Sequence, residues 1–150
     1  MSTVAQIWKV GPKEVPEAME LIKESFTYNE VETYDLLKEK ARSERELLLL
    51  AKLGGKAIGM LEAEIQERTS IMGRKHIGVI YTVLVREEHR NKGVGRQLID
   101  TAIIWFRVNG VTEAVAGVSE NDTAGKEFFG RLEFKPYQIR MQREIEPFEN

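Results

Sequence analysis

Apolar positions divide the chain into segments of two different periods. Residues 4–10, VAQIWKV, read as a first strand. In GPKEVPEAMELIKESF the period changes: Val15, Met19, Ile22 and Phe26 fall on one helical stripe. Pro12 and Pro16 fit only the entry or first turn of that helix. Tyr34, Leu37 and Ala41 keep helical spacing through 31–42. ELLLLAKLGGKAIGMLEAEI then predicts two strands joined by a tight turn at Gly54-Gly55. In the second of these, Leu61, Ala63 and Ile65 share one face, and Ile58, Met60, Glu62 and Glu64 share the other.

Residues 67–75 are polar and predict a loop. HIGVIYTVLV, 76–85, is apolar on both parities, which predicts a central strand buried on both faces. Val94, Leu98, Ala102, Trp105 and Phe106 space out a further helix, with Gly110 as its stop. EAVAGVS predicts a short buried strand, DTAGKEFFGRL a short helix and FKPYQIRMQREI a closing strand. No repeat, low-complexity tract or linker interrupts the series. The expectation is one α/β (α+β) domain over residues 1–150, with a mixed central sheet flanked by helices.

Composition narrows the function classes. With 150 residues, 42% of them apolar and 31% charged, the chain reads as soluble and globular. It contains no cysteine, which excludes disulfides, thiol nucleophiles and thiolate metal sites. No apolar run approaches the roughly 20 residues of a membrane span, and the N-terminus lacks a secretory pattern. A cytoplasmic protein with no membrane partner is expected. A net charge of −2 and a pI of about 5.8 argue against nucleic acid as a partner. Any anionic ligand must be held by a local cluster.

One such cluster stands out in VLVREEHRNKGVGRQLID, residues 83–100. Gly93 and Gly95 sit between a buried strand and an apolar-striped helix, flanked by Arg90, Lys92 and Arg96. Glycines there also serve purely conformational needs, and neighbouring charges also form solvated faces. Three features favour a ligand. The turn follows a buried strand, where open α/β folds place their sites. The helix head attracts anions. The glycines let a phosphate approach the backbone. The nucleoside-triphosphate loop pattern is absent, and Leu98 stands where a dinucleotide fingerprint needs its third glycine.

The stretch Arg90-Asn91-Lys92-Gly93-Val94-Gly95 matches Arg-x-x-Gly-x-Gly. With TVLVREEHRNKGVGRQLI around it, it resembles the acetyl-coenzyme A motif of the GNAT superfamily of N-acetyltransferases. The order of elements over nearly the whole chain is similar to that family's. The resemblance implies that the amides from about Asn91 to Arg96 hold the coenzyme pyrophosphate. It implies that the main chain of Val83, Leu84 and Val85 pairs with the pantetheine arm. It makes the Val83 amide the donor that polarises the thioester carbonyl. Aligned on Phe134, the chain offers Asp122, Gly125, Phe128-Phe129 and Glu133-Phe134 for the family's second signature, with Asn121 one position early; Asn121, Gly125 and Phe128 are then expected at the coenzyme.

Two departures bear on catalysis. Phe129 replaces a common tyrosine that protonates the leaving thiolate. Val79 replaces a glutamate found in some members on the central strand, four residues before the polarising amide; Tyr81 is next on the same face. Glu62 and Glu64 on the neighbouring strand are the nearest alternative bases, though the same positions also fit a solvated strand face. Tyr81 is read mainly as core, with a cleft role as the alternative. The resemblance implies that Phe26, Tyr28, Asn29, Glu30 and Tyr34 roof the acceptor pocket; a surface turn with core aromatics fits the same residues. His76 and His89 lack metal-ligand spacing, so no metal is expected. Ser119 lacks the second glycine of a nucleophile elbow. The expected activity is acetyl transfer from acetyl-CoA to a primary amine of a small molecule or peptide, by direct attack in a ternary complex. The alternative is a non-catalytic acyl-CoA sensor of the same fold. A homodimer is compatible with either.

Overall fold

Gly54 and Gly55 both take positive φ, 59° and 79°, the conformation of a two-residue hairpin turn. They join strand β2 (Glu46–Leu53) to β3 (Lys56–Ser70). The computed structural model describes residues 4–149 apart from Tyr28. With β1 (Gln6–Lys9), β4 (Gly73–Val85) and β5 (Ala114–Ala116), the described strands form one sheet in the order β1-β2-β3-β4-β5. The first four pair antiparallel, and β5 runs parallel to β4. The sheet is therefore mixed, as expected. Residues 1–117 and 118–150 group as two compact units. The first holds the sheet and helices α1 (Val15–Ser25), α2 (Glu30–Arg42) and α3 (Val94–Val108); the second holds α4 (Thr123–Arg131).

α1 and α2 cover one face of the sheet. Val15, Ala18, Leu21 and Leu37 pack there with Leu48, Leu50 and Met60. Full burial of each such side chain is worth about 1.5–3 kcal/mol. The predicted stripe of α1 stops short of Phe26, which lies past the helix end in extended backbone and is exposed. α3 covers the other face through Leu98, Ile99, Ala102 and Phe106. Two missing side chains make this packing close. A Cβ on Gly78 would meet the Phe106 ring at 2.7 Å, and one on Gly59 would meet Val94 at 3.3 Å and Leu98 at 3.4 Å. Gly110, at φ 75°, follows the end of α3 as the sequence predicts.

Three expectations need correction. Residues 67–75 are not a loop: Glu67–Ser70 pair with Gly73–His76, so the hairpin runs to a turn at Ile71-Met72. Backbone pairing and polar side-chain contacts such as Glu67 with Arg74 carry this ribbon, so no apolar pattern announces it. β4 is not the central strand; β3 is, and β4 is buried on both faces only over Ile77–Ile80. Residues 135–149 form no strand among those described and are exposed. Tyr137, Ile139 and Met141 alternate with polar residues, but a strand also needs a neighbouring edge to pair with. Among the described residues, no helix is long and apolar enough to cross a membrane.

Candidate functional site

A one-residue irregularity in β4 sets the site. Glu62 pairs with Thr82 and Ala63 with Ile80, which leaves Tyr81 as an extra residue, a β-bulge. The bulge resets the alternation that the sequence implied. Val79 lies opposite Glu64 on the face that α1 and α2 cover, whereas Val83 lies opposite Leu61 on the α3 face. It also decides which main-chain groups point outward. The Arg86 N–H donates to the Ile58 carbonyl at 2.8 Å, so the groups of Arg86, Leu84 and Thr82 face β3. Those of Val83 and Val85 therefore face the other edge. β5 pairs with β4 only as far as Ile80. Beyond that point no strand pairs with this edge among the described residues, and the Val83 and Val85 groups line it.

The edge leads directly into the glycine turn. The Arg90 Nε donates to the Val85 carbonyl at 3.0 Å, which ties the turn to the strand end. Asn91 (φ 62°) and Gly93 (φ 84°) both take left-handed backbone. The first bond of α3 runs from the Gln97 N–H to the Gly93 carbonyl, and no side chain caps the helix. The amides of Val94, Gly95 and Arg96 are thus the open donors of a helix head. Val94 and Gly95 are buried, while Arg90, Asn91, Lys92, Gly93 and Arg96 are exposed. The arrangement is a cradle of amides at a positive dipole end with exposed cations around it. Open space surrounds the Gly93 Cα, so Gly93→Val meets only backbone strain, about 1–2 kcal/mol. It is expected to weaken coenzyme binding roughly tenfold in calorimetry. Gly93→Asn, which accepts this φ, is expected to bind near the wild-type level.

The carboxylates gather on the face under α2. Glu46 lies opposite Glu64 in the β2–β3 register. The Tyr81 hydroxyl donates to Glu64 Oε1 at 2.8 Å, and the Thr82 hydroxyl donates to Glu62 Oε1 at 3.0 Å. Lys40, from α2, reaches Glu46 at 2.7 Å and Glu62 Oε2 at 3.1 Å. Burial pulls the Lys40 ammonium down, but its hydrogen bonds to Glu46 and Glu62 hold it above the usual lysine range. Burial and the Glu64 carboxylate push the Tyr81 phenol up, so it stays a donor at neutral pH. Tyr81 is not a core residue: it is 47% exposed. Sequence reasoning found Glu62, Glu64 and Tyr81 but missed Lys40, Glu46 and Thr82. The signal for Lys40 was its i+3 spacing from Leu37, which is buried beneath α2.

A cavity of about 180 Å³ opens between α1, α2 and the sheet. Phe26, Leu37, Met60, Lys40, Glu62 and Thr82 are among the side chains lining it. Glu30 and Tyr34 line a separate cavity of about 460 Å³ between the two helices. Asn29 instead caps α2, its Oδ1 accepting from the Glu32 N–H at 3.0 Å; Tyr28 lies outside the described residues. In the second unit, Asp122 caps α4 by accepting from the Gly125 N–H at 2.8 Å. A Cβ at Gly125 would collide with that carboxylate. Asn121 is exposed and Phe128 half-buried, with the Phe128 ring edge-on to Phe129 at 5.0 Å.

Comparison with known proteins agrees with this geometry. The model of the acetyltransferase (GNAT) family matches residues 15–134. An uncharacterized N-acetyltransferase of Bacillus subtilis (strain 168), YobR, is 32% identical over 59 residues, 39% of this chain. That match spans only 24% of YobR. The aminoglycoside N-acetyltransferase AAC(6')-Iy in complex with CoA has a similar fold, with a TM-score of 0.86 and 18% identity. The similarity covers 96% of this chain and 97% of that one. A transcriptional regulator from Bacillus halodurans C-125 is similar at a TM-score of 0.80 and 17% identity, over 94% of this chain and 99% of that one.

Proposed function

The chain belongs to the GNAT acetyltransferase family, and from that premise we propose that it moves the acetyl group of acetyl-CoA to a primary amine of a small molecule or peptide. The observation that carries the reading is the outer edge at Val83 and Val85, with which no described strand pairs and where the Arg90 side chain holds the Val85 carbonyl, running into the open amides at the head of α3. Those amides, with Arg90, Lys92 and Arg96, suit a diphosphate. The strand edge suits the amide groups of a pantetheine arm, which would add to the sheet as a strand does. Asn121, Gly125 and Phe128 are assigned to the coenzyme on the family resemblance.

The amine nitrogen attacks the thioester carbonyl carbon in a ternary complex. The Val83 N–H donates to the oxygen as it gains charge. The proton leaves the nitrogen for a carboxylate on the α2 side of the sheet, where Glu62, Glu64 and Tyr81 stand. The carbon–sulfur bond then breaks, and the thiolate departs. Phe129 has no proton to give it. The acidic face favours a cationic acceptor, since three carboxylates there meet one lysine. The aminoglycoside substrate named for AAC(6')-Iy belongs to that class.

The test combines binding with turnover. Acetyl-CoA is expected to raise the melting temperature more than free adenosine phosphates do. Thiol release is expected to depend on an added amine, across a panel of aminoglycosides, polyamines and short peptides. No stabilisation at millimolar acetyl-CoA sinks the coenzyme assignment. Phe129 favours a second reading, a non-catalytic sensor of acyl-CoA: tight binding with thiol release at background across the whole panel would establish it instead.

A further inference from the structure

Resting on that reading, we propose that Lys40 is a positioning residue: its ammonium engages Glu46 and Glu62 and so leaves Glu64, oriented by the Tyr81 hydroxyl, as the group that takes the proton of the substrate amine.

The three carboxylates are not equivalent. Both Glu62 oxygens are occupied, Oε1 by the Thr82 hydroxyl at 3.0 Å and Oε2 by the Lys40 ammonium at 3.1 Å. Glu46 shares the same ammonium at 2.7 Å. Glu64 receives no cation among the described residues. Its Oε1 accepts from the Tyr81 hydroxyl at 2.8 Å and lies 3.5 Å from the Gln66 amide nitrogen. An amine that approaches Glu62 finds both oxygens engaged and must displace a hydroxyl or a charge-assisted bond to reach either. Glu64 has no cation to be displaced among the described residues.

Geometry makes Lys40 the residue that enforces this difference. α2 carries it over the sheet, with Leu37 buried one turn earlier as the anchor. Only 17% of its side chain is exposed, and its ammonium stands 5.8 Å from the Tyr81 ring centroid. The charged and titratable groups that face the cluster are Glu46 from β2, Tyr81 from β4 and Lys40 from α2. Without the ammonium, Glu46, Glu62 and Glu64 become three like charges on adjacent strands, and each proton bound relieves the repulsion of the others. The proton-accepting role is then shared among them, and protonation sets in at higher pH.

The test compares Lys40→Met and Lys40→Arg with the wild type, using whichever amine the wild type acetylates. Methionine keeps the length of the stem and removes the charge. In Lys40→Met the acid limb of the kcat/KM profile is expected to move to higher pH, and kcat at neutral pH is expected to fall about tenfold. KM for acetyl-CoA is expected to stay within twofold. Lys40→Arg is expected to restore both the limb and kcat. An acid limb unmoved by Lys40→Met overturns the inference. A loss independent of pH, or one that arginine leaves unrescued, overturns it too, since it marks a merely structural residue. A wild type that acetylates no amine removes the acetyltransferase reading and this inference with it. An active wild type with an indifferent Lys40 removes the inference alone.

Discussion

Glu64→Gln is expected to lower kcat/KM for the amine by about 10²–10³-fold, within the usual range for loss of a general base. Glutamine keeps the shape of the side chain and still accepts from the Tyr81 hydroxyl, so the fold and the coenzyme edge should be unaffected. The loss is expected in kcat, with KM for acetyl-CoA unchanged, because the proton moves only in the reacting complex. The fall in rate at acid pH should flatten, since the group whose protonation causes it is gone. Glu62→Gln is expected to cost less than tenfold, because Glu62 is already bound at both oxygens. Steady-state kinetics of both variants from pH 5 to 9 decide the matter. Equal losses, or the larger loss at Glu62, would reverse the assignment.

Gly78→Val should be strongly destabilising. A Cβ at this position falls 2.7 Å from three atoms of the Phe106 ring, and Phe106 is itself buried in α3. The strand cannot retreat, because Gly78 pairs with Ile65 on one side and Ala114 on the other. Overpacking of this kind costs about 3 kcal/mol, or a fall in melting temperature of roughly 6–12 °C for a chain of this size. Phe106→Ala alone opens a cavity and also destabilises. Combined with Gly78→Val it should cost less than the sum of the two, because the alanine makes room for the valine. Urea unfolding of the two single variants and the double variant measures that coupling. Strict additivity would mean that the ring and the added side chain do not meet.

Much of the fold was legible because its signals are local. The Gly54-Gly55 hairpin needs positive φ at both positions, and glycine supplies it. The strand–turn–helix around Gly93 was legible for the same reason, since helix, dipole and left-handed turn are properties of neighbouring residues. The bulge at Tyr81 was not. HIGVIYTVLV is apolar on both parities, so an extra residue leaves no break in its pattern. Simple alternation would carry the face of Val79 and Tyr81 on to Val83, which lies instead opposite Leu61 on the α3 face. Lys40 was hidden differently: its partners Glu46 and Glu62 lie on two other strands, and only the folded register brings all three together. The ribbon over 67–75 and the unpaired segment after Phe134 share one cause. Pairing depends on a neighbouring edge, and a sequence pattern records faces rather than edges.

The extra residue at position 81 has a consequence for length variation in this strand. A chain lacking Tyr81 would keep Thr82 opposite Glu62, Val83 opposite Leu61 and the same outward amides, because the rest of the ladder already counts as if that residue were absent. It would lose the bend and the phenol together. Removing Ile80 or Thr82 would instead draw Tyr81 into the vacated place in the ladder, opposite Ala63 or Glu62. Tyr81 is thus a detachable part: its deletion subtracts a single chemical group and leaves every other pair of the ladder as it stands.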